Sequence, residues 1–293
     1  MMATVTQSGA SRSRSLGQDA WRRLRANRAA MASVWVLGGV VVLALVGPLL
    51  SPHPYWEIDW DAINAAPTWS NAHWFGTDPV GRDLFVRTMI GARISLAVAL
   101  IATLVSVIIG VLYGAVAGFV GGRVDNLMMR LVDILYTLPF MFLVIVLMVV
   151  FGRHIFLIFV AVGAIQWLTM ARIVRGQTLS IKNREFVEAA IAGGATKRDI
   201  ILRHIVPNVL GPVVVYVSLV IPEVVMIESF LSFLGLGVQD PLTSWGVLIA
   251  EGAGDMETAP WQLIFPAFFL ATTLFCFNFL GDGLRDALDP KDR

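Results

Sequence analysis

The residues with chemistry to offer are few, and most are carboxylates set in apolar surroundings. Asp133, Glu223 and Glu228 stand beside long runs without charge. An ion-coupled carrier needs such groups near mid-membrane, so Glu223 and Glu228 are candidates for lining or gating a solute path. Glu228 comes five residues after Glu223, a spacing that keeps the two from sharing a helix face closely. The competing reading makes them boundary charges that pack between helices or meet water. Asp133 sits at the mouth of a run, close in sequence to Arg130. The four histidines, His53, His73, His154 and His204, lie apart, and no two have metal-ligand spacing. His73 with Asp78 and Asp83 comes nearest to a cation set. Cys276, the single cysteine, lies inside an apolar run, as a small core hydrophobe would.

Nucleotide chemistry has no foothold. A phosphate loop needs Gly-x4-Gly-Lys-Ser/Thr, yet the three lysines precede Asn183, Arg198 and Asp292. No nucleophile–base grouping stands out either. The expectation is a chain that is not an enzyme by itself and binds no metal and no cofactor. Any use of ATP would have to run through a partner.

One charged stretch between two apolar runs has a mechanical rather than a chemical character. Arg184–Asn208 reads REFVEAAIAGGATKRDIILRHIVPN. Asn183 is placed to cap a short helix, with Glu185 and Glu188 near its positive end. Ala189, Ala190 and Ala192 give that helix a small-residue face. Gly193-Gly194 breaks it, and Thr196 with Asp199 three residues on restarts a second helix that runs into Pro207. Helix, tight turn, helix makes a rigid knob for another protein to grip. The alternative is an amphipathic hairpin lying on the membrane surface.

The elements that must position these groups follow from composition. The chain has 293 residues, 57% of them hydrophobic and 15% charged. A soluble domain could not hide that much apolar surface, so a polytopic, all-α membrane protein is expected. The net charge of +1 says nothing about nucleic acid, and none is expected as a partner. Residues 1–28 are polar and carry six arginines, with Trp21–Arg28 reading as a basic helix on the lipid surface. Residues 29–50 form the first span, ended by Pro48 and Pro52. Residues 51–88 form an aromatic, proline-rich loop. Five further uncharged runs follow, Ile94–Gly122, Ile134–Gly152, His154–Ala171, Ile205–Pro222 and Thr258–Gly281, for six transmembrane helices in all. They place a five-helix core at 89–282, and 283–293 is a tail. Ser229–Gly246 is apolar but laced with glycine, so it reads as a partly re-entrant or a structured interfacial loop.

Charge sets the orientation. The arm, the 121–130 turn, the 172–203 segment and the tail hold 18 of the 22 basic residues. By the positive-inside rule both termini and the Glu188 hairpin face the cytoplasm. No repeat is visible between the halves, which weighs against an inverted-repeat carrier.

The same residues resemble the permease subunits of bacterial ABC importers, in the peptide/nickel branch. That family's cytoplasmic loop reads Glu-Ala-Ala, three residues, Gly, then nine residues to Ile-x-Leu-Pro. Glu188, Ala189, Ala190, Gly194 and Pro207 match at that spacing, followed by Asn208, while His204 and Val206 replace the Ile and Leu. Similarity extends from about Trp74 to Arg293 and includes FGTDPVGRD, ARIVRGQTLS, ESFLSFLGLG, SWG and GDGLRDALDP. Within the branch the chain is most similar to the C-type subunit of oligopeptide permeases. The resemblance implies a type I ABC importer permease fold in the bacterial inner membrane. It implies a second homologous permease subunit, two cytoplasmic ABC ATPases holding ATP and Mg, and an extracytoplasmic peptide-binding protein. Residues 176–205 would be the coupling loop, with Glu188, Ala189, Ala190, Gly194, Ala195, His204, Pro207 and Asn208 meeting an ATPase. Arg172 and Arg175 would fix the hairpin's approach. Oligopeptides are the expected cargo. Dipeptides, nickel, glutathione or murein peptides on the same machine, and a stand-alone secondary carrier or channel, are the alternatives.

Overall fold

The computed structural model describes residues 16–152 and 155–288, so the expectations for residues 1–15, Arg153, His154 and 289–293 lie outside it. The described chain is helical, with no strand beyond one isolated bridge between Thr77 and Asp83. A short helix α1 (Leu16–Ala26) precedes α2 (Arg28–Leu50). Helix α1 buries Leu24 against Ala30 of α2 and Ala287 near the chain's other end. Pro48 does not end α2, which runs on to Leu50. A helical proline leaves the carbonyl four residues earlier without a donor. That carbonyl is Ala44's, and the Arg93 guanidinium fills it from 2.6 Å through Nε.

A cap follows, from 51 to 83, and then α3 (Leu84–Val120), 37 residues or about 55 Å long. It starts ten residues before the uncharged run predicts, because its two arginines are satisfied by protein. Arg93 is taken up by α2, and Arg87 by Asp78 and Glu251 at 2.6 and 2.8 Å. Helix α4 (Gly122–Thr137) and α5 (Phe140–Phe151) meet at a 78° bend. The expected straight third span is therefore broken. Pro139 forces Leu138 into an extended conformation and cannot donate to the helix behind it.

Helix α6 (Ile155–Ile181) is the principal partner of α3. Gly110, Gly114 and Gly118 recur every four residues, and a Cβ on Gly114 would lie 2.4 Å from the Ala171 carbonyl. Backbones this close need small residues, the usual glue where lipid gives no hydrophobic drive between helices. The hairpin α7 (Glu185–Ala192) and α8 (Lys197–Ile200) leads through a π-helical turn, Ile201–Ile205, into α9 (Val206–Phe233). A short buried helix α10 (Trp245–Gly254) and α11 (Trp261–Leu288) complete the chain. The stretch 229–246 thus divides into the end of α9, an irregular turn, and α10 capped by Ser244.

Helices α2, α3, α11 and the continuous α8–α9 unit are each long and apolar enough to cross a membrane, and the bent α4–α5 pair supplies a fifth passage. With the 27-residue α6 this is compatible with six. The start of α2, the ends of α3, α6 and α11 and the hairpin share one face. The 51–83 cap and α10 share the other.

Candidate functional site

The hairpin is built as a small exposed tip on a buried root. Arg184, not Asn183, is the N-cap of α7, and its side chain makes no capping bond. Val187 is fully buried, while Glu188, Ala189 and Ala192 are exposed. Gly194 takes φ +80°, where a side chain is strained, and open space surrounds it. Glycine is therefore required there by the turn, not by crowding within the chain. Thr196 accepts from the Asp199 amide at 3.2 Å and donates to its carboxylate at 2.6 Å, the capping arrangement its spacing predicts. Ile200, Ile201 and Ile205 then pack with Val187 against Val111 and Ala115 of α3 and Met170, Val174 and Ile181 of α6. A load on the tip thus passes into the glycine-zipped α3–α6 pair.

The eight expected contact residues divide in two. Glu188, Ala189, Gly194, Pro207 and Asn208 are exposed, whereas Ala190, Ala195 and His204 are half-buried. Ala190 and Ala195 turn toward the apolar root. Asn208 donates its side-chain amide to the His204 carbonyl at 2.7 Å, beside Pro207, which has no N–H to give. Two exposed apolar residues at the tip escaped sequence reasoning, Phe186 and Ile191. Their mixed placement among charges was the only signal. Arg172 and Arg175 do not reach the hairpin. They clamp α4 instead, Arg175 to Asp125 by paired bonds of 2.5 and 2.7 Å and Arg172 to Asp133 at 2.7 Å. Asp133 therefore pairs with Arg172, not Arg130.

The two glutamates of α9 have separate environments, as their spacing implies. Glu228 is completely buried and accepts from Ser95 of α3 at 3.0 Å and Ser232 at 2.7 Å. Ser95 in turn accepts from the Trp245 amide, and Ser244 donates to Ser232, so one carboxylate ties α3, α9 and α10 together. Packing between helices describes Glu228. Glu223 is exposed and lines a cleft of about 240 Å³ under the α4–α5 bend, together with Tyr136, Gln166 and Thr169.

On the opposite face the cap is held by charge. Asp78, buried, accepts from Arg82 at 2.7 Å, from Arg87 at 2.6 Å and from two backbone amides. Burial pulls the Arg82 guanidinium down, but Asp78 and then Asp240 more than offset this and hold it above its ordinary value. His73 bonds Asp83 at 2.9 Å, and Asp83 also caps α3 through the Val86 amide. Asp78 is thus committed to arginines and does not join His73 and Asp83 in one set.

Comparison with known proteins adds the following. Residues 110–293 match the family model described as binding-protein-dependent transport system inner membrane component. Residues 15–67 match the N-terminal TM domain of oligopeptide transport permease C. The chain is 60% identical over 280 residues to the oligopeptide transport system permease protein OppC of Haemophilus influenzae, covering 96% of this chain and 90% of that one. It is 61% identical to OppC of Salmonella typhimurium, covering 96% and 93%. To the dipeptide transport system permease protein DppC of Bacillus subtilis it is 49% identical over 277 residues, covering 94% and 86%.

Proposed function

We propose, because this chain belongs to the family of binding-protein-dependent transport system inner membrane components, that it moves oligopeptides inward across the membrane with energy supplied by partner ATPases. The observation that carries the reading is the hairpin, an exposed small-residue tip mounted on a buried apolar root. Its tip is the coupling surface, with Glu188, Ala189, Gly194, Pro207 and Asn208 toward an ATPase and Phe186 and Ile191 adding apolar contact. Ala190, Ala195 and His204 support it from behind. The oligopeptide cargo is favoured over dipeptide by the higher identity to the OppC proteins of Haemophilus influenzae and Salmonella typhimurium than to DppC of Bacillus subtilis.

In this reading residues 1–28, the coupling loop 176–205 and the tail 283–293 are cytoplasmic, and 51–88 faces outward. The lopsided distribution of arginine and lysine supports that orientation. Two ATPases bind ATP and Mg, close on each other and carry the hairpin with them. The α3–α6 pair then rocks against the rest of the bundle and against a second permease, a rigid-body switch between two packings. Glu223 belongs to the path, and Glu228 to the packing that the switch must preserve. The outward cap and α10 meet the loaded peptide-binding protein.

Purification in mild detergent tests the proposal. A second permease and two ATPases are expected to copurify, and the reconstituted complex with its binding protein takes up labelled tetrapeptide only with ATP. Uptake by this chain alone, driven by an ion gradient, would replace the importer by a secondary carrier.

A further inference from the structure

We infer that the cleft beneath the α4–α5 bend is a binding station for the amino-terminal ammonium and first main-chain amides of a peptide in transit. The inference rests on the importer reading and names the ligand chemistry of one place along its path.

The cleft exists because Pro139 breaks the third passage, so the end of α4 and the start of α5 arch over α6 and α9. Among the residues lining it, Glu223 is the one charge. Its carboxylate is exposed and makes no hydrogen bond or ion pair to any described residue. A bare carboxylate on a membrane-crossing helix cannot face hydrocarbon, so this side of α9 meets water or solute. Gln166 is 3% exposed, lines the same cleft, and its amide has no hydrogen-bond partner among the described residues. Its polar atoms are not among the fully buried side-chain groups that lack a partner, so they open onto the cleft, where two donors and an acceptor face whatever enters.

The nearby cation does not neutralise the site. Arg172 is held by Asp133 at 2.7 Å and lies over the Tyr136 ring at 4.4 Å. The cleft therefore keeps one negative charge, one unpaired amide and two hydroxyl-bearing side chains, against walls of Phe140, Leu143 and other apolar residues. A single carboxylate with neutral donors is a poor metal site, and no group of three metal-ligating side chains occurs among the described residues. It suits an ammonium well. An amide that both donates and accepts suits a peptide main chain, in which each residue other than proline offers an acceptor and a donor in return. The apolar walls accept side chains without reading them. Such a station would take peptides of any sequence by what all of them share.

The test uses the complete complex in proteoliposomes with its binding protein. Uptake of a neutral tetrapeptide with a free amino terminus is compared with uptake of its N-acetylated form. Glu223→Gln is expected to slow the first about tenfold and the second less than about twofold, as loss of one charge-assisted contact would. Glu223→Asp restores the first. Equal loss for both cargoes, or loss for neither, overturns the station while leaving ATP-driven uptake, and so the importer reading, standing. Should Glu223→Gln fail to assemble, a tetrapeptide carrying a diazirine on its first residue is crosslinked to the wild-type complex. Labelling of the segments holding Glu223 or Gln166 is expected, and labelling only elsewhere overturns the proposal.

Discussion

Gly194 separates the strain of a turn from the contact that the turn makes. Any side chain there must adopt φ +80°, which costs a non-glycine residue about 1 kcal/mol. Nothing lies within 4 Å of the added Cβ, so no clash inside the chain enlarges that cost. Gly194→Ala and Gly194→Glu therefore carry nearly the same intramolecular strain, and both are expected to insert and extract at wild-type levels. They differ at the partner surface. If the tip is buried in an ATPase, the glutamate drives its carboxylate into a desolvated contact, at about 3–5 kcal/mol. That is about a hundredfold to a thousandfold in docking strength or more, enough to silence uptake. The alanine, small and neutral, leaves transport within about fivefold, the scale of its strain alone. The assay is ATP-dependent peptide uptake by the reconstituted complex, read beside copurification of the ATPases. Wild-type transport by Gly194→Glu would refute the coupling role of the tip. Equal loss in Gly194→Ala would refute the reasoning differently, by showing that backbone strain accounts for the whole effect.

Two further outcomes follow from the packing. Gly114→Val would press against the Ala171 carbonyl, which as helical backbone cannot retreat, so a loss of about 3 kcal/mol or more is expected. Yield after detergent extraction and heating reports it, with Gly176→Ala, in open space on α6, as the tolerated control. Arg87→Ala removes one of the two arginines on buried Asp78, and the cap should loosen by about 3 kcal/mol. Faster cleavage within 51–83 by protease added from outside measures this, and Arg82→Ala, at a more exposed arginine, should cost less.

Lipid exposure of apolar runs, capping chemistry and turn chemistry are local properties, and they were legible in the residues alone. The all-helical membrane class followed from long uncharged runs that a soluble fold could not hide. The Thr196–Asp199 cap and the glycine turn after Ala192 followed from residue types that permit few backbones. The separation of Glu223 from Glu228 followed from helical period. The Gly110–Gly114–Gly118 spacing carried the α3–α6 contact in plain sight, though a charge-based reading passed over it.

What a charge or a proline does depends on what stands opposite it, and that only the folded chain decided. Pro48 reads as a stop, but Arg93 supplies the donor it lacks and the helix continues. Arg87 reads as a boundary, but Asp78 and Glu251 let α3 begin before it. Arg172 and Arg175 found partners on α4 instead of the hairpin, and Ser95 found Glu228 across 133 positions of sequence. Sequence separation conceals such pairings, because the energy of a polar group in a membrane protein is set by the partner that tertiary packing brings to it.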